Sequence, residues 1–164
     1  MNREIDLCIG GMHRSGTSLM AQICLNSGLY IGNDLDPNLE SKTYLKINDW
    51  LLTSNGMSWY NPELFTRIET QIANDKLISQ YITQRLTYSK YFRMPGGVGK
   101  KYCCNVFKDP RTTFTYRVWK KFYPNLKMII VVRNGFDVAN SLMVRNTQVR
   151  KSYETNKYKI GRLC

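Results

Sequence analysis

The sequence is poor in the residues from which metal sites and disulfide frameworks are built. It contains one histidine and no C-x-x-C pair, so we expect no zinc site and no metal cofactor. Its five cysteines are scattered along the chain, and Cys103 and Cys104 are adjacent, an arrangement that suits a disulfide poorly. We therefore expect reduced thiols and a cytoplasmic location.

Long hydrophobic segments are also lacking. The longest apolar run, residues 128–132, has the length of a strand, whereas a membrane-spanning helix needs ~20 apolar residues. The first residues do not have the pattern of a signal peptide. Linkers and repeats are absent as well, so the 164 residues predict a single domain with its core in about residues 5–146 and a basic tail over 147–164.

Acidic residues are scarce relative to basic ones. The chain has 12 Asp and Glu against 24 Lys and Arg, a net charge of +12. This excess favours an anionic ligand, an acidic acceptor or a nucleic acid. The nucleic acid is the weakest of these alternatives, because the basic residues singled out below lie at predicted strand ends rather than along one helix or stripe.

Apolar runs alternate with helical periodicity along the chain. Strands are predicted over residues 5–9, 102–107 and 126–132, and helices over 15–26, 41–53, 112–122 and from 136 to 145 or beyond. Residues 62–90 predict two helices separated near Asn74-Asp75, and 94–101 predict a loop. This alternation predicts an α/β fold, a three-layer parallel sheet with helices on both faces. We expect Trp50, Trp59 and Trp119 to lie in the core.

The stretch that links the first strand to the first helix is rich in glycine and hydroxyl residues. From Gly11 it reads G-M-H-R-S-G-T-S, the spacing of the P-loop motif G-x-x-x-x-G-K-[ST] with Thr17 in place of the lysine. Glycines let the backbone approach an anion, the helix start supplies N–H donors, and Arg14 adds a charge. The loop predicts a cradle for an anion other than Mg-ATP; an atypical P-loop kinase is the alternative.

Basic residues follow each predicted strand. Arg14 follows the first strand, Lys108 and Arg111 follow the second, and Arg133 follows the third. Ligands of parallel α/β sheets bind beyond the carboxyl ends of the strands. The pattern therefore predicts a ligand with more than one anionic group.

These residues resemble the motifs of the sulfotransferase family, which transfers a sulfuryl group from 3′-phosphoadenosine 5′-phosphosulfate (PAPS). Residues 11–18 are similar to the R-S-G-T-[ST] form of its P-loop-like turn for the 5′-phosphosulfate. Arg133 and, eight residues later, Ser141 are similar to its signature for the 3′-phosphate, and Arg145 matches the tyrosylprotein branch. Residues 108–111 are similar to a K-D-P-R stretch of bacterial members.

The resemblance implies a P-loop-like sulfotransferase architecture with PAPS as co-substrate and a hydroxyl or amine acceptor, such as a carbohydrate. It implies that Arg14 and Lys108 stabilise the charge of the transferring group. The residues that it assigns to PAPS binding are Gly11, His13, Arg14, Ser15, Gly16, Thr17, Ser18, Arg133, Ser141 and Arg145.

The resemblance also implies a carboxylate base on the segment after the first helix. The candidates are Asp34, Asp36 and Glu40. Glu40 is favoured, although a cap for the helix predicted to begin near Ser41 is the alternative role. The catalytic histidine of cytosolic members is replaced here by Pro110.

Two further departures concern the second half of the chain. Gly135 stands where many members have proline. Family members usually continue well beyond the position of Arg145, so the resemblance implies a C-terminally truncated member. A non-catalytic nucleotide- or polyanion-binding remnant of the fold is the alternative function.

Overall fold

The computed structural model describes residues 4–61, 63–91 and 103–160, with the side chains of 63–68 and 148–160 excepted. The predicted loop over 94–101 lies outside the described residues, and so does Tyr102, the predicted start of the second strand.

Strands and helices follow one another in the predicted order. The strands are β1 (Leu7–Gly11), β2 (Val106–Lys108) and β3 (Lys127–Val131). The helices are α1 (Thr17–Asn26), α2 (Lys42–Thr53), α3 (Glu63–Asn74), α4 (Lys76–Thr87), α5 (Thr112–Phe122) and α6 (Gly135–Ile160).

The three strands form one parallel sheet in the order β2-β1-β3, so β1 lies in the centre. Cys8 of β1 pairs with Phe107 on one side and Met128 on the other. Since all strands run in the same direction, their carboxyl ends meet at one edge, together with the start of α1. This edge carries the pocket described below.

Helices cover both faces of the sheet. Successive residues of β1 point to opposite faces. Cys8 packs in a cluster with Tyr44 of α2 and Trp119 of α5, whereas Ile9 packs in a second cluster with Ala21 of α1. The prediction of a three-layer α/β fold is confirmed.

The boundary between α3 and α4 has a local cause. Asp75 is the N-cap of α4, and its carboxylate accepts hydrogen bonds from the N–H groups of Leu77 and Ile78. The predicted separation near Asn74-Asp75 is therefore confirmed.

The first strand is placed two residues later than the predicted span of 5–9, because it includes Gly10 and Gly11. Glycine usually weakens a strand, so the sequence predicts that the strand ends before Gly10. A Cβ at Gly10 would meet the terminal methyl of the flexible Met128 side chain and lie 3.0 Å from the Thr113 Oγ1 of α5, so glycine fits closely there. The pairing of Gly10 with Ile130 and of Gly11 with Val131, which the chain pattern does not show, decides this boundary.

Several other boundaries differ from prediction. The described residues 103–105 precede β2, which begins at Val106, whereas the predicted strand begins at 102. β3 is one residue shorter at each end than the predicted 126–132, and α1 begins two residues later than predicted, at Thr17.

The ends of β2 and α6 differ as well. β2 continues to Lys108 rather than ending at Phe107, since Lys108 pairs with Ile9. α6 continues to Ile160, well past the predicted minimum of Arg145. Among the described residues no helix is both long enough and apolar enough to cross a membrane.

Candidate anion-binding site

The loop between β1 and α1 is held in a tight turn by its backbone. Ser15 donates its N–H to the Met12 carbonyl at 3.0 Å, and Gly16 has φ +108°, in the left-handed region that favours glycine. The Gly11 N–H donates to the Thr113 Oγ1 at 2.7 Å, which ties the loop to α5. The turn leaves the first N–H groups of α1 without carbonyl partners in the helix, as in any α-helix.

A pocket of about 300 Å³ opens at this loop and at the carboxyl ends of all three strands. The residues that line it are His13, Arg14, Gly16, Thr17, Ser18, Asn38, Glu40, Lys108, Pro110, Arg133, Ser141 and Arg145. The structure therefore brings together residues that lie more than 100 positions apart in the chain.

Two of the predicted site residues, Gly11 and Ser15, do not line the pocket. Gly11 serves instead in the hydrogen bond to Thr113. Ser15 is buried, and its hydroxyl oxygen has no hydrogen-bond partner among the described residues.

Lys108 reaches the floor of the pocket from the end of β2. Its side chain is only 2% exposed, and its ammonium group donates to the Glu40 Oε1 at 2.8 Å, the Asn38 carbonyl at 3.1 Å and the Ser18 Oγ at 3.3 Å. An ammonium group has three N–H donors, and the three acceptors named here match that number, so every N–H of Lys108 is used. Lys108 thereby connects β2, α1 and the loop that precedes α2.

Of the three candidate carboxylates, Glu40 is the one that lines the pocket. Its Oε1 accepts from Lys108, and its Oε2 lies 3.7 Å from the Arg111 NH1. Burial raises the pKa of the Glu40 carboxyl, while the hydrogen bond and positive charge of Lys108 act in the opposite direction. A raised pKa suits a group that accepts a proton near neutral pH.

Asp34 and Asp36 have other partners. Asp34 accepts from the Thr43 N–H at 2.7 Å and the Ser41 hydroxyl at 2.8 Å, so it stabilises the start of α2. Asp36 accepts from the N–H groups of Asn38 and Glu40 within the loop. The capping role considered for Glu40 therefore falls to Asp34.

The second wall of the pocket comes from β3 and α6. Arg133, just after β3, donates from NH1 to the Arg14 carbonyl at 3.3 Å. Ser141 on α6 accepts from the Arg14 Nε at 2.9 Å. Two sequence motifs that are separated by more than 100 residues thus meet at Arg14.

The edge of the pocket is aromatic. The His13 ring lies 4.5 Å from the Trp59 ring, and the Arg145 guanidinium lies 5.9 Å from the same indole. Burial and the nearby charges of Arg111, Lys108 and Arg145 lower the pKa of His13 to about 4, so the ring is neutral at pH 7.

The structure corrects one of the three tryptophan predictions. Trp119 is buried in the core as expected, and Trp50 is partly buried and stacks on Tyr81. Trp59, by contrast, follows the turn after α2, is half-buried and packs against His13, which lines the pocket. A helical period cannot place a residue that lies beyond the end of its helix.

Sequence reasoning missed four residues that build the site. Asn38 contributes a carbonyl to Lys108, Pro110 lines the pocket, and Thr113 holds the loop through Gly11. Asn48 is buried on α2 and bonds to Asp109 beside the site. Asn38, Thr113 and Asn48 act through contacts that are distant in sequence, so no local motif signals their roles. Pro110 lies within the K-D-P-R stretch but is not among the site residues that the resemblance assigns.

The described residues contain no group of three or more His, Cys, Asp or Glu side chains that could hold a metal ion. No curated protein and no solved structure has a significant match to the chain. The model of the sulfotransferase family matches residues 6–163, nearly the whole sequence. With the α/β sheet and the P-loop-like pocket already described, this match shows that the chain belongs to the sulfotransferase family.

Proposed function

We propose that this protein transfers a sulfuryl group from PAPS to a hydroxyl or amine acceptor, such as that of a carbohydrate. The observation that carries the proposal is the meeting of Arg14, Lys108, Arg133 and Arg145 in one pocket at the start of α1. These cations come from three strand ends and one helix. A donor with two separate phosphate groups and a sulfuryl group matches that distribution of charge.

The pocket suits such a donor in its backbone as well as its charges. The first N–H groups of α1 and the hydroxyls of Thr17 and Ser18 line the end of the pocket that we assign to the 5′-phosphosulfate. Arg133, Ser141 and Arg145 line the end that we assign to the 3′-phosphate. The basic side chains supply charge stabilisation that a metal ion supplies in many phosphoryl-transfer enzymes.

Glu40 is the residue we assign as general base. PAPS supplies the sulfuryl group, and the Glu40 carboxylate takes the proton that the acceptor hydroxyl or amine loses as its bond to sulfur forms. Lys108, 2.8 Å from the Glu40 Oε1, lies between Glu40 and the P-loop-like turn and so stabilises the negative charge that develops on the leaving phosphate. Trp59 at the pocket edge offers an aromatic face for a sugar ring.

The test is a calorimetric titration with 3′-phosphoadenosine 5′-phosphate, with ATP-Mg²⁺ as the comparison ligand. We expect the bisphosphate to bind and Arg133→Ala to weaken its binding by at least tenfold, because a charge-assisted contact to phosphate is lost. Arg85→Ala, which removes an equal charge from the exposed face of α4, is the matched control and should retain wild-type affinity.

The alternatives give different results in the same experiment. Preference for ATP-Mg²⁺ would favour the kinase, against which Thr17 at the usual lysine position already argues. Binding of the bisphosphate without transfer from PAPS to any acceptor or to water would favour a non-catalytic remnant. Equal affinity of wild type and Arg133→Ala would contradict the assignment of the 3′-phosphate end.

A further inference from the structure

A buried polar side chain on α2 lies behind the pocket, in the middle of the main core. Asn48 is fully buried, and its amide makes four hydrogen bonds. Its Nδ2 donates to the Asp109 Oδ2 at 2.8 Å and the Thr112 Oγ1 at 3.0 Å. Its Oδ1 accepts from the Thr115 hydroxyl and the Trp119 indole N–H, both at 2.7 Å. The two donors and the two acceptor sites of the amide are all used.

The contact to Asp109 leads from this core position to the pocket. Asp109 is also fully buried, and its second oxygen, Oδ1, accepts from the Arg111 NH1 at 2.9 Å and the Arg111 N–H at 3.3 Å. Arg111 in turn places NH1 3.7 Å from the Glu40 Oε2. Asn48, Asp109, Arg111 and Glu40 therefore form a continuous chain from the core to the pocket wall.

We propose that Asn48 and Asp109 are positioning residues that hold the Arg111 guanidinium beside Glu40 at 3.7 Å, outside direct hydrogen-bond reach of its carboxylate. Neither lines the pocket, so each acts through Arg111. The proposal rests on the proposed function where it treats Glu40 as the base. The contacts themselves do not depend on that function.

The energetics of the site favour this role over a purely structural one. A buried carboxylate is costly, and an apolar group of similar size often stabilises a core at least as well. The Asp109 carboxylate instead orients the Arg111 guanidinium. One of its oxygens accepts from two N–H groups of Arg111, while Asn48 fixes its other oxygen. Fully satisfied buried polar networks are rigid, which is what the placement of a catalytic group requires.

The charge balance at Glu40 makes the effect measurable. The charged and titratable groups that share its pocket or lie near its carboxylate are Lys108, Asp109, Arg111, Asp36, Arg14, His13, Arg133 and Arg145. Among them, the Asp109 charge raises the pKa of Glu40. Without that charge, Arg111 keeps its ion pair from Nε to the Asp49 Oδ1 at 3.4 Å, but its NH1 loses the Asp109 acceptor and can approach Glu40 more closely. Both consequences lower the pKa of Glu40.

The experiment is an NMR titration of the protein labelled with ¹³C at the glutamate carboxyl carbons, without donor or acceptor. The first variant is Asp109→Asn. The second is the exchange Asn48→Asp with Asp109→Asn, which keeps an amide-carboxylate pair in the core and moves the charge away from Arg111. Tyr44→Phe is the matched control, because it removes a buried hydrogen bond of α2 to Tyr123 that is not part of the chain of contacts to Glu40.

We expect the titration midpoint of the Glu40 carboxyl to fall by about one pH unit in both the single and the exchange variant, because one nearby charge shifts a pKa by about this amount. We expect the exchange to recover thermal stability lost in Asp109→Asn while the Glu40 midpoint stays low. Tyr44→Phe should leave the midpoint unchanged. A Glu40 midpoint that is the same in all four proteins would overturn the proposal.

The same variants separate this inference from the proposed function. Binding of 3′-phosphoadenosine 5′-phosphate should match wild type in the exchange variant, since the assigned phosphate contacts are intact. Turnover of PAPS should fall by about 10²-fold, because a small misplacement of a catalytic group has an effect of that size. Absence of bisphosphate binding in wild type would overturn the proposed function, whereas the Glu40 midpoints would still decide the inference about Asn48 and Asp109.

Discussion

The two walls of the pocket are built in opposite ways. On one wall, the Lys108 and Glu40 side chains are 2% and 8% exposed and are joined by a hydrogen bond of 2.8 Å. On the other, the Arg133 side chain is 45% exposed, and its ion pair with Asp137 spans 3.8 Å. The first wall therefore has compensated charges in a defined geometry, whereas the second presents charge that solvent and salt can screen.

This difference indicates a division of tasks under the proposed function. Proton transfer requires a base within hydrogen-bond reach of the group it deprotonates, and the buried wall provides such a fixed carboxylate. Attraction of a multiply charged donor acts over a longer range and tolerates some movement of the side chains. The predictions below test whether stability depends mainly on the buried wall and ligand affinity on the exposed one.

The largest effect should follow Lys108→Met. Glu40 would remain buried without its ammonium partner, and breaking a buried ion pair in this way costs about 3–5 kcal/mol of unfolding free energy. Urea unfolding at pH 7 measures the loss. Lys121→Met is the control, since Lys121 is exposed and bonds to the Ala73 carbonyl and Asn74 rather than to a carboxylate. Equal losses in both variants would contradict the importance of the buried pair.

The second effect concerns His13 and the pH dependence of stability. Its pKa is lowered to about 4 in the folded protein, so the unfolded chain binds the proton more tightly. The contribution of His13 to stability should therefore rise as the pH increases from about 4 to about 6.5, by at most about 3 kcal/mol. The measurement is the difference in unfolding free energy between wild type and His13→Gln across this range. A constant difference would show that His13 titrates normally.

A smaller effect is expected for Arg133→Lys on the exposed wall. The charge is kept, but the planar fork that binds two phosphate oxygens is lost. We expect about tenfold weaker binding of 3′-phosphoadenosine 5′-phosphate in calorimetry, or about 1.4 kcal/mol, with unchanged unfolding free energy. Arg85→Lys on α4 provides the control. Unchanged affinity would mean that charge alone is sufficient at position 133.

The smallest effect should come from Ser141→Ala. This change removes the acceptor of the Arg14 Nε in an exposed hydrogen bond of 2.9 Å, so the loss of unfolding free energy should be about 0.5 kcal/mol. Affinity for the bisphosphate should fall less than in Arg133→Lys. Ser54→Ala, which removes an exposed hydrogen bond to the Trp50 carbonyl, is the matched control. A loss of several kcal/mol of unfolding free energy in Ser141→Ala would show that contacts in the exposed wall also stabilise the fold.

Most of the secondary structure could be predicted because its signals are local. Asp75 marks the start of α4 with its own side chain, and α5 begins and ends at the predicted residues. The errors lie mainly at the ends of the strands, which depend on pairing with other strands. Gly10 belongs to β1 because it pairs with Ile130 of β3, which is distant in sequence.

The pocket was predictable to a similar extent. Motifs pointed to most of the residues that line it, including Arg133, because glycine spacing and basic residues at strand ends follow from the chain alone. The sequence favours Glu40 among the candidate carboxylates but leaves open whether it is a base or caps α2, since it directly precedes that helix. The fold separates the two roles by directing Asp34 to Thr43 and Glu40 to Lys108.

The amino-acid sequence by itself determined the α/β class, the P-loop-like turn and the cationic residues at the strand ends, because periodicity, glycine spacing and charge are properties of neighbouring residues. The tertiary structure decided which of these charges are buried and which are exposed. It also decided that Asn48, with no motif of its own, connects the core to Glu40 through Asp109 and Arg111. Burial and hydrogen bonding between distant segments exist only after the chain has packed, and they determine the proton affinity and geometry of the site.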